Sequence, residues 1–356
     1  MTTAAATATA PARAPATATV KLGSRSILSL AIFVLVVAGA AALYLFQRSI
    51  APGEIAAAYA AFLMLLIPYI GCGYPEVAAA FRRIGAAGPV GAGFLIAFVA
   101  VPPAVALVSM NGAGALLPAA GLLLYGGALA AILAWAARVG PPPNVIDFLA
   151  VMAAWLPVEF GLLHGLWSKG AADPSYLIGK TLSLSVLLMG YVAIRPLEGL
   201  GYRWRLRFED FGAALVGLTA FLIPAVSYGV WSGFIVWEPR SFPLSGIIFR
   251  ALAIGLFIAL PEEILFRGVI FNLLQRFTAG RWGPLPALLL SSVIFGLAHL
   301  NNFPYGDLRY ALLATYAGIC YAYCYLRTGN LTAGVLTHTS VDLIHRLFFT
   351  TPPTGS

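Results

Sequence analysis

The chain has 356 residues, of which 60% are hydrophobic and only 10% are charged, and its mean hydropathy is +0.89. Soluble domains carry about a quarter charged residues, so this composition excludes a soluble globular protein and indicates an integral membrane protein. The net charge of +8 would suggest a nucleic-acid partner in a soluble protein. Here the basic residues lie between apolar runs, which is typical of membrane topology, so no nucleic-acid partner is expected.

The chain begins with a low-complexity segment. Residues 1–20 are almost entirely Ala, Thr and Pro, which cannot build a core, so a disordered cytoplasmic tail is predicted over 1–26. Residues 27–46 then form an uncharged apolar run. Because this run is longer than the apolar region of a signal peptide, which is about 7–15 residues, it is predicted to be the first membrane helix.

The apolar runs predict an all-α fold, a polytopic transmembrane helix bundle of about 10–11 spans. Lipid admits only helices and closed barrels, and the short alternating segments of a barrel are lacking. The segment 244–276 is too long for one upright span, and Pro261 is expected to kink it. The predicted spans cover residues 27–46, 55–74, 90–109, 115–137, 145–166, 176–194, 211–230, 244–276, 285–300, 308–326 and 331–349.

A hydrophilic segment at 195–210 divides the predicted bundle. It separates an N-terminal bundle of about six helices (27–194) from a C-terminal bundle (211–350). With the N-terminus and this basic loop in the cytoplasm, about twice as many Lys and Arg residues lie inside as outside, as the positive-inside rule requires. This topology counts Lys180 among the outer residues. The Ala-rich composition indicates a multi-pass protein of a bacterial inner membrane, surrounded by membrane lipid.

The C-terminal bundle concentrates ionisable side chains within apolar runs, where each is a functional hypothesis because burying a charge in lipid is costly. Glu263 and Arg267 are four residues apart and share a helix face, so they are expected to form an ion pair that orients helices. Glu262 is rotated by about 100° and has no partner within this motif, which suits a general base.

Two further motifs place polar side chains on neighbouring helices. Phe295 and His299 share one face of the helix predicted at 285–300, and His338 and Asp342 share one face of the last helix. Counted from the cytoplasmic helix ends, these side chains and Glu262 lie at overlapping depths. The three helices are therefore expected to form one polar site inside the bundle.

These motifs carry a family resemblance. In their order and spacing they resemble the CPBP family of CAAX-processing type II endopeptidases and bacteriocin-protection proteins, also called Abi or Rce1-like glutamic intramembrane proteases. The resemblance covers about residues 245–350. The strings that carry it are Glu262-Glu263-x-x-x-Arg267, Phe295-x-x-x-His299 and His338-x-x-x-Asp342.

The resemblance implies an intramembrane endopeptidase that acts on a protein or peptide substrate at the membrane, without a cofactor. Glu262 resembles the base that activates water, and His299 resembles the residue that helps to hold this water. His338 and Asp342 resemble the pair that stabilises the oxyanion.

The resemblance also implies supporting roles for Glu263, Arg267 and Phe295. One position departs from the pattern, because the family often has Asn where this chain has Asp342. An ionised Asp would repel an oxyanion, so Asp342 is either protonated or orients His338 instead.

Other membrane-protease chemistries fit less well. The chain has no HExxH motif and no Gly-x-Ser-Gly motif, and its Gly306-Asp307 dipeptide lies in a loop. Glu262, His299 and His338 are all zinc-type ligands, so a zinc site is an alternative, but no two of them have the close spacing of a dedicated site. The three cysteines, Cys72, Cys320 and Cys324, are interpreted as small buried hydrophobic residues without disulfide or metal.

Two other functions compete with the protease. A non-catalytic membrane protein, such as an immunity or scaffold protein, could use the same polar residues only to brace helices. A transporter could use them as a proton or solute path, although no inverted repeat supports this. Glu159 and His164, five residues apart in the predicted fifth span, are candidates for a substrate path, or else Glu159 is a helix-packing residue.

Overall fold

The computed structural model describes residues 24–46, 61, 64–163, 175–278, 282–302 and 306–352. The predicted tail 1–26 and His164 lie outside these ranges, except for residues 24–26, which begin the first helix. Within the described ranges the chain is almost entirely helical. The helices are α1 (Ser24–Phe46), α2 (Met64–Gly71), α3 (Pro75–Gly85), α4 (Pro89–Asn111), α5 (Leu116–Val139), α6 (Val145–Glu159), α7 (Ser175–Met189), α8 (Phe208–Trp231), α9 (Leu244–Phe277), α10 (Leu285–Ala298), α11 (Leu308–Thr328) and α12 (Leu331–Phe348).

Two short strands complete the described part of the fold. The strands β1 (Val236–Trp237) and β2 (Phe349–Thr350) pair antiparallel, with Val236 opposite Thr350. They join the end of the chain to the connection between α8 and α9.

The all-α polytopic bundle predicted from the sequence is confirmed. Four described helices are long and apolar enough to cross a membrane: 89–109, 112–139, 208–231 and 244–277. A fifth span results if α2 and α3, which meet at 110°, count as one. This is fewer than the 10–11 predicted spans. The helices α6, α7 and α10 are short, the fully described apolar part of α1 (Ile27–Val37) is also short, and α11 and α12 carry many polar side chains.

The two predicted halves share one hydrophobic core, which extends from Val34 in α1 to Val335 in α12. A buried ion pair also joins the connection after α7 to the start of α6: Arg195 contacts both carboxylate oxygens of Asp147, at 2.5 and 2.8 Å. Arg195 further donates to the carbonyl oxygens of Ala136 and Gly140 at the end of α5. The helices of the N-terminal half are thereby fixed against one another.

The connection between α11 and α12 is held by side-chain caps. Asn330 caps α12 by accepting from the backbone N–H of Thr332 at 3.3 Å, which satisfies one of the free donors of the first turn. The same side-chain oxygen accepts from the N–H of Arg203, and Thr332 donates to the carbonyl of Arg203. The 195–207 segment therefore fixes the start of the helix that carries His338 and Asp342.

Helix α9 is continuous over 34 residues. Two π-helical turns, Gly255–Ala259 and Ile264–Phe271, flank the Pro261-Glu262-Glu263 motif. Pro261, which is expected to kink this segment, lies between these two turns within one continuous helix, and the kink stays a prediction. In the first π turn the backbone N–H of Leu260 donates to the carbonyl of Gly255, five residues earlier. The next donor in this pattern would be Pro261, opposite the carbonyl of Leu256, but proline has no N–H. The hydroxyl of Tyr69 in α2 donates a hydrogen bond to the Leu256 carbonyl instead, at 2.5 Å.

Candidate active site

Glu263 and Arg267 form the deepest part of the site. Both side chains are fully buried, and Arg267 Nη1 lies 3.0 Å from Glu263 Oε1, as expected from their spacing. Arg267 Nη2 donates to the carbonyl of Gly318 in α11 at 3.0 Å, and the guanidinium lies over the Phe295 ring of α10, 4.4 Å from its centroid. This pair thus joins α9 to α10 and α11.

Two glycines allow this close packing. A Cβ at Gly318 would lie 3.1 Å from Arg267 Nη2, and a Cβ at Gly334 would lie 2.9 Å from Glu263 Oε2. Real Cβ atoms essentially never lie within 3.0 Å of another heavy atom, and 3.1 Å is unusually close, so an alanine at either position requires its neighbours to shift.

His338 lies between the two adjacent glutamates. Its Nδ1 is 3.2 Å from Glu263 Oε1, and its ring stacks on Tyr321 with centroids 4.6 Å apart. Its Nε2 lies 3.8 Å from Glu262 Oε2 and 3.9 Å from Asp342 Oδ2. Glu262 and Glu263 therefore approach the same imidazole, although the helical geometry predicts that they point in different directions.

The two longer distances separate His338 Nε2 from Glu262 and Asp342. At 3.8 and 3.9 Å they are too long for direct hydrogen bonds, so Nε2 makes no direct hydrogen bond to either carboxylate. Since a carboxylate accepts hydrogen bonds, His338 Nδ1 carries a proton toward Glu263. It is therefore Glu263, and not Asp342, that makes the orienting contact with His338.

His299 approaches from the end of α10. Its Nδ1 lies 2.7 Å from the carbonyl oxygen of Phe295, one helical turn earlier. A carbonyl only accepts, so Nδ1 carries the proton, and in a neutral ring Nε2 is an acceptor. The Phe295 ring meets both the His299 and the His338 rings edge to face, at 4.6 and 5.9 Å.

Glu262 faces a cavity between the two halves of the bundle. The cavity has a volume of about 90 Å³, which is ample for water. Its lining includes Trp155 and Glu159 of α6, Lys180 of α7, Glu262 and Phe266 of α9, and His299. The Lys180 ammonium lies 3.1 Å from Glu262 Oε1, and these side chains are 15% and 20% exposed.

Sequence reasoning missed the contact between Lys180 and Glu262. The predicted topology counts Lys180 among the outer basic residues, whereas the structure places it within α7 with its side chain on Glu262. The only signal in the sequence is a single lysine inside the apolar run 176–194. Its partner depends on how α7 packs on α9, which spacing along one helix cannot show.

Glu159 also lines this cavity, at the end of α6. It accepts from Trp155 Nε1 at 3.1 Å, and its backbone carbonyl accepts from Asn301, two residues after His299. A role in a substrate path stays a prediction. For zinc, no group of three or more His, Cys, Asp or Glu side chains within the described ranges has the arrangement of a metal site.

Comparison with known proteins bears on the segment that carries these motifs. Residues 243–344 match the family model for "Type II CAAX prenyl endopeptidase Rce1-like". We call residues 243–344 the Rce1-like segment after this match. This Rce1-like segment contains Glu262, His299, His338 and Asp342, and the resemblance seen in the sequence is confirmed for it. It does not contain Lys180.

One curated protein is similar to part of the chain. The chain is 37% identical over 81 residues to a Bacillus subtilis (strain 168) protein named "Putative membrane peptidase YdiL". The match covers 22% of this chain and 28% of that relative, so the chain spans little more than a quarter of the relative's length. No solved structure matches the chain significantly.

Proposed function

We propose that the protein is an intramembrane endopeptidase that hydrolyses a peptide bond of a membrane-associated protein or peptide, in the manner of CAAX processing, with a water molecule activated by Glu262. One observation carries this proposal. Glu262, His299, His338 and Asp342 come from three different helices: His338 Nε2 lies 3.8 Å from Glu262 and 3.9 Å from Asp342, and Glu262 and His299 line the water-sized cavity between the two halves of the bundle.

The attacking water belongs beside Glu262 Oε2. Lys180 occupies Oε1, so Oε2 is the oxygen that faces His338 across 3.8 Å. Glu262 takes a proton from this water, and His299 accepts the second hydrogen through Nε2. General-base catalysis of this kind contributes about 10²–10⁴-fold to the rate.

The oxyanion is stabilised from α12. The water oxygen bonds to the carbonyl carbon, and the developing negative charge receives a hydrogen bond from His338 Nε2, which in this proposal is protonated while Nδ1 donates to Glu263. Each such donor is worth about 10²–10³-fold. Because Glu263 already orients His338, Asp342 is assigned the protonated form and acts as a second donor.

The tetrahedral intermediate collapses with loss of the amine. The C–N bond breaks, and Glu262 returns its proton to the leaving nitrogen, so that the carboxylate is restored and the net reaction consumes one water. A serine or cysteine nucleophile is not involved, and the chemistry includes no acyl-enzyme.

Terminal proteomics tests the proposal. Membranes from a deletion strain are complemented with the wild type, with Glu262→Gln, or with Glu209→Gln, which alters an exposed glutamate in the first turn of α8. New protein termini are expected with the wild type and Glu209→Gln, and not with Glu262→Gln. If folded Glu262→Gln yields the same termini as the wild type, the protease proposal fails and a bracing role of these residues in an immunity or scaffold protein is favoured.

A further inference from the structure

The Rce1-like segment offers Glu262 no direct hydrogen bond from a described cationic side chain, since His338 Nε2 is 3.8 Å away. The segment contributes three carboxylates around His338, at Glu262, Glu263 and Asp342, and the guanidinium of Arg267 pairs with Glu263. A charge held in low-dielectric surroundings requires a partner of opposite charge. For Glu262 this partner comes from outside the segment.

Lys180 supplies that charge from α7. Its Nζ lies 3.1 Å from Glu262 Oε1, and its side chain lines the same cavity as Glu262 and His299. The contact spans 82 residues of sequence and joins the N-terminal half to the motif helix. The Tyr69 hydroxyl of α2 makes a second such contact, to the carbonyl of Leu256 five residues before Pro261.

The Lys180 contact determines which oxygen of the Glu262 carboxylate faces His338. With Oε1 held by the ammonium, the carboxylate cannot rotate freely, and Oε2 stays directed toward His338. A displacement of about 1 Å of a catalytic group can cost about 10²-fold in rate. A cation on Oε1 therefore acts on the reaction through the orientation of Glu262, without touching the substrate.

We propose that Lys180 is a positioning residue of this enzyme: α7, which lies outside the Rce1-like segment, completes the active site by fixing the Glu262 carboxylate. The inference rests on the proposed function. It assigns a catalytic contribution to a helix that the family comparison does not reach.

Kinetics of the full-length protein in lipid nanodiscs test this proposal. The substrate is a fluorogenic membrane-anchored peptide with a cleaved sequence found by the terminal proteomics. Lys180→Met is expected to lower kcat by about 10²-fold with KM within about threefold, because positioning acts on the chemical step. Lys180→Arg, which keeps the charge, is expected to recover at least a tenth of wild-type kcat. Arg138→Met, which removes an exposed cation at the end of α5, is the control.

A chemical rescue covers the case that Lys180→Met does not fold. Lys180→Cys is purified and alkylated either with 2-bromoethylamine, which rebuilds a lysine-like ammonium, or with iodoacetamide, which adds a neutral group of similar size. The wild type is treated in parallel to control for its three native cysteines. Only the aminoethyl product is expected to regain activity.

The outcomes separate this inference from the proposed function. If Glu262→Gln is inactive while Lys180→Met keeps wild-type kcat, or if the two alkylated products are equally active, the positioning role is wrong and the protease stands. If Lys180→Met raises KM with unchanged kcat, Lys180 binds substrate and the inference is also overturned. If Glu262→Gln still cleaves the peptide, the proposed function fails, and the inference fails with it.

Discussion

Replacing Arg267 by Met tests the buried pair on which the site is built. The substitution removes the 3.0 Å contact to Glu263, the 3.0 Å hydrogen bond to the Gly318 carbonyl and the contact with the Phe295 ring at 4.4 Å. It leaves Glu263 fully buried without the guanidinium, with only His338 Nδ1 at 3.2 Å. Removing one member of a buried ion pair costs about 3–5 kcal/mol. At about 2 °C per kcal/mol for a large domain, the apparent Tm is expected to fall by about 6–10 °C.

Three comparisons locate the cause of this loss. Arg267→Lys is expected to recover only part of the Tm, because one ammonium cannot reach both Glu263 and Gly318 in the way that a guanidinium does. Adding Glu263→Gln to Arg267→Met is expected to raise the Tm again, because it removes the buried charge that has lost its guanidinium. Arg138→Met, at an exposed position, is the control and is expected to change stability by less than about 0.5 kcal/mol. Thermal unfolding in detergent measures all four variants. If Arg267→Met unfolds at the wild-type temperature, the account of the buried pair is wrong.

Three further predictions follow from the same contacts. Gly334→Ala places a Cβ 2.9 Å from Glu263 Oε2 and is expected to cost about 1–3 kcal/mol of stability and to reduce cleavage. Gly121→Ala, where a Cβ meets no described atom within 4 Å, is the control and is expected to be neutral or slightly stabilising. Equal unfolding temperatures of the two variants would contradict the packing. Tyr69→Phe leaves a buried carbonyl in α9 unpaired and is expected to lower the free energy of unfolding by about 1–3 kcal/mol. Tyr323→Phe, at an exposed site, is the control and is expected to change it little, and thermal unfolding measures both. Cleavage by the purified protein is expected to be insensitive to 1,10-phenanthroline, and inhibition that added zinc reverses would favour the zinc alternative.

The positions of many helices could be predicted from the sequence. The predicted spans 211–230, 308–326 and 331–349 lie within about three residues of α8, α11 and α12. Apolar composition explains α8, because lipid leaves the backbone no other way to satisfy its hydrogen bonds in an open segment. The predicted span 145–166 extends past the end of α6 at Glu159, since apolar residues continue beyond the helix.

The π turns of α9 could not be predicted in this way. In the first of these turns the Leu256 carbonyl accepts a hydrogen bond from Tyr69, in a helix nearly 190 residues earlier. A proline in an apolar run indicates a disturbed helix but does not show which carbonyl loses its donor or what replaces it. Whether the helix kinks or forms a wide turn at a proline depends on the contacts made by neighbouring helices.

Residue spacing predicts the contacts of the candidate site within one helix but not the contacts between helices. The four-residue spacing of Glu263 and Arg267 correctly predicted their contact. The approach of both glutamates to His338 depends on the rotation of α12 against α9, which spacing does not determine. The Lys180–Glu262 contact likewise depends on the packing of α7, and no motif in the sequence joins these two residues.

Isotope incorporation tests the central claim most directly. The purified protein is incubated with the cleavable membrane-anchored peptide in H₂¹⁸O, and the new carboxyl terminus is analysed by mass spectrometry for the wild type and Glu262→Gln. We expect the wild-type product to gain one ¹⁸O atom from solvent, with no covalent enzyme adduct at any time, and we expect no product from Glu262→Gln. An adduct on the enzyme, or labelled product at the wild-type rate from Glu262→Gln, would contradict hydrolysis by a glutamate-activated water.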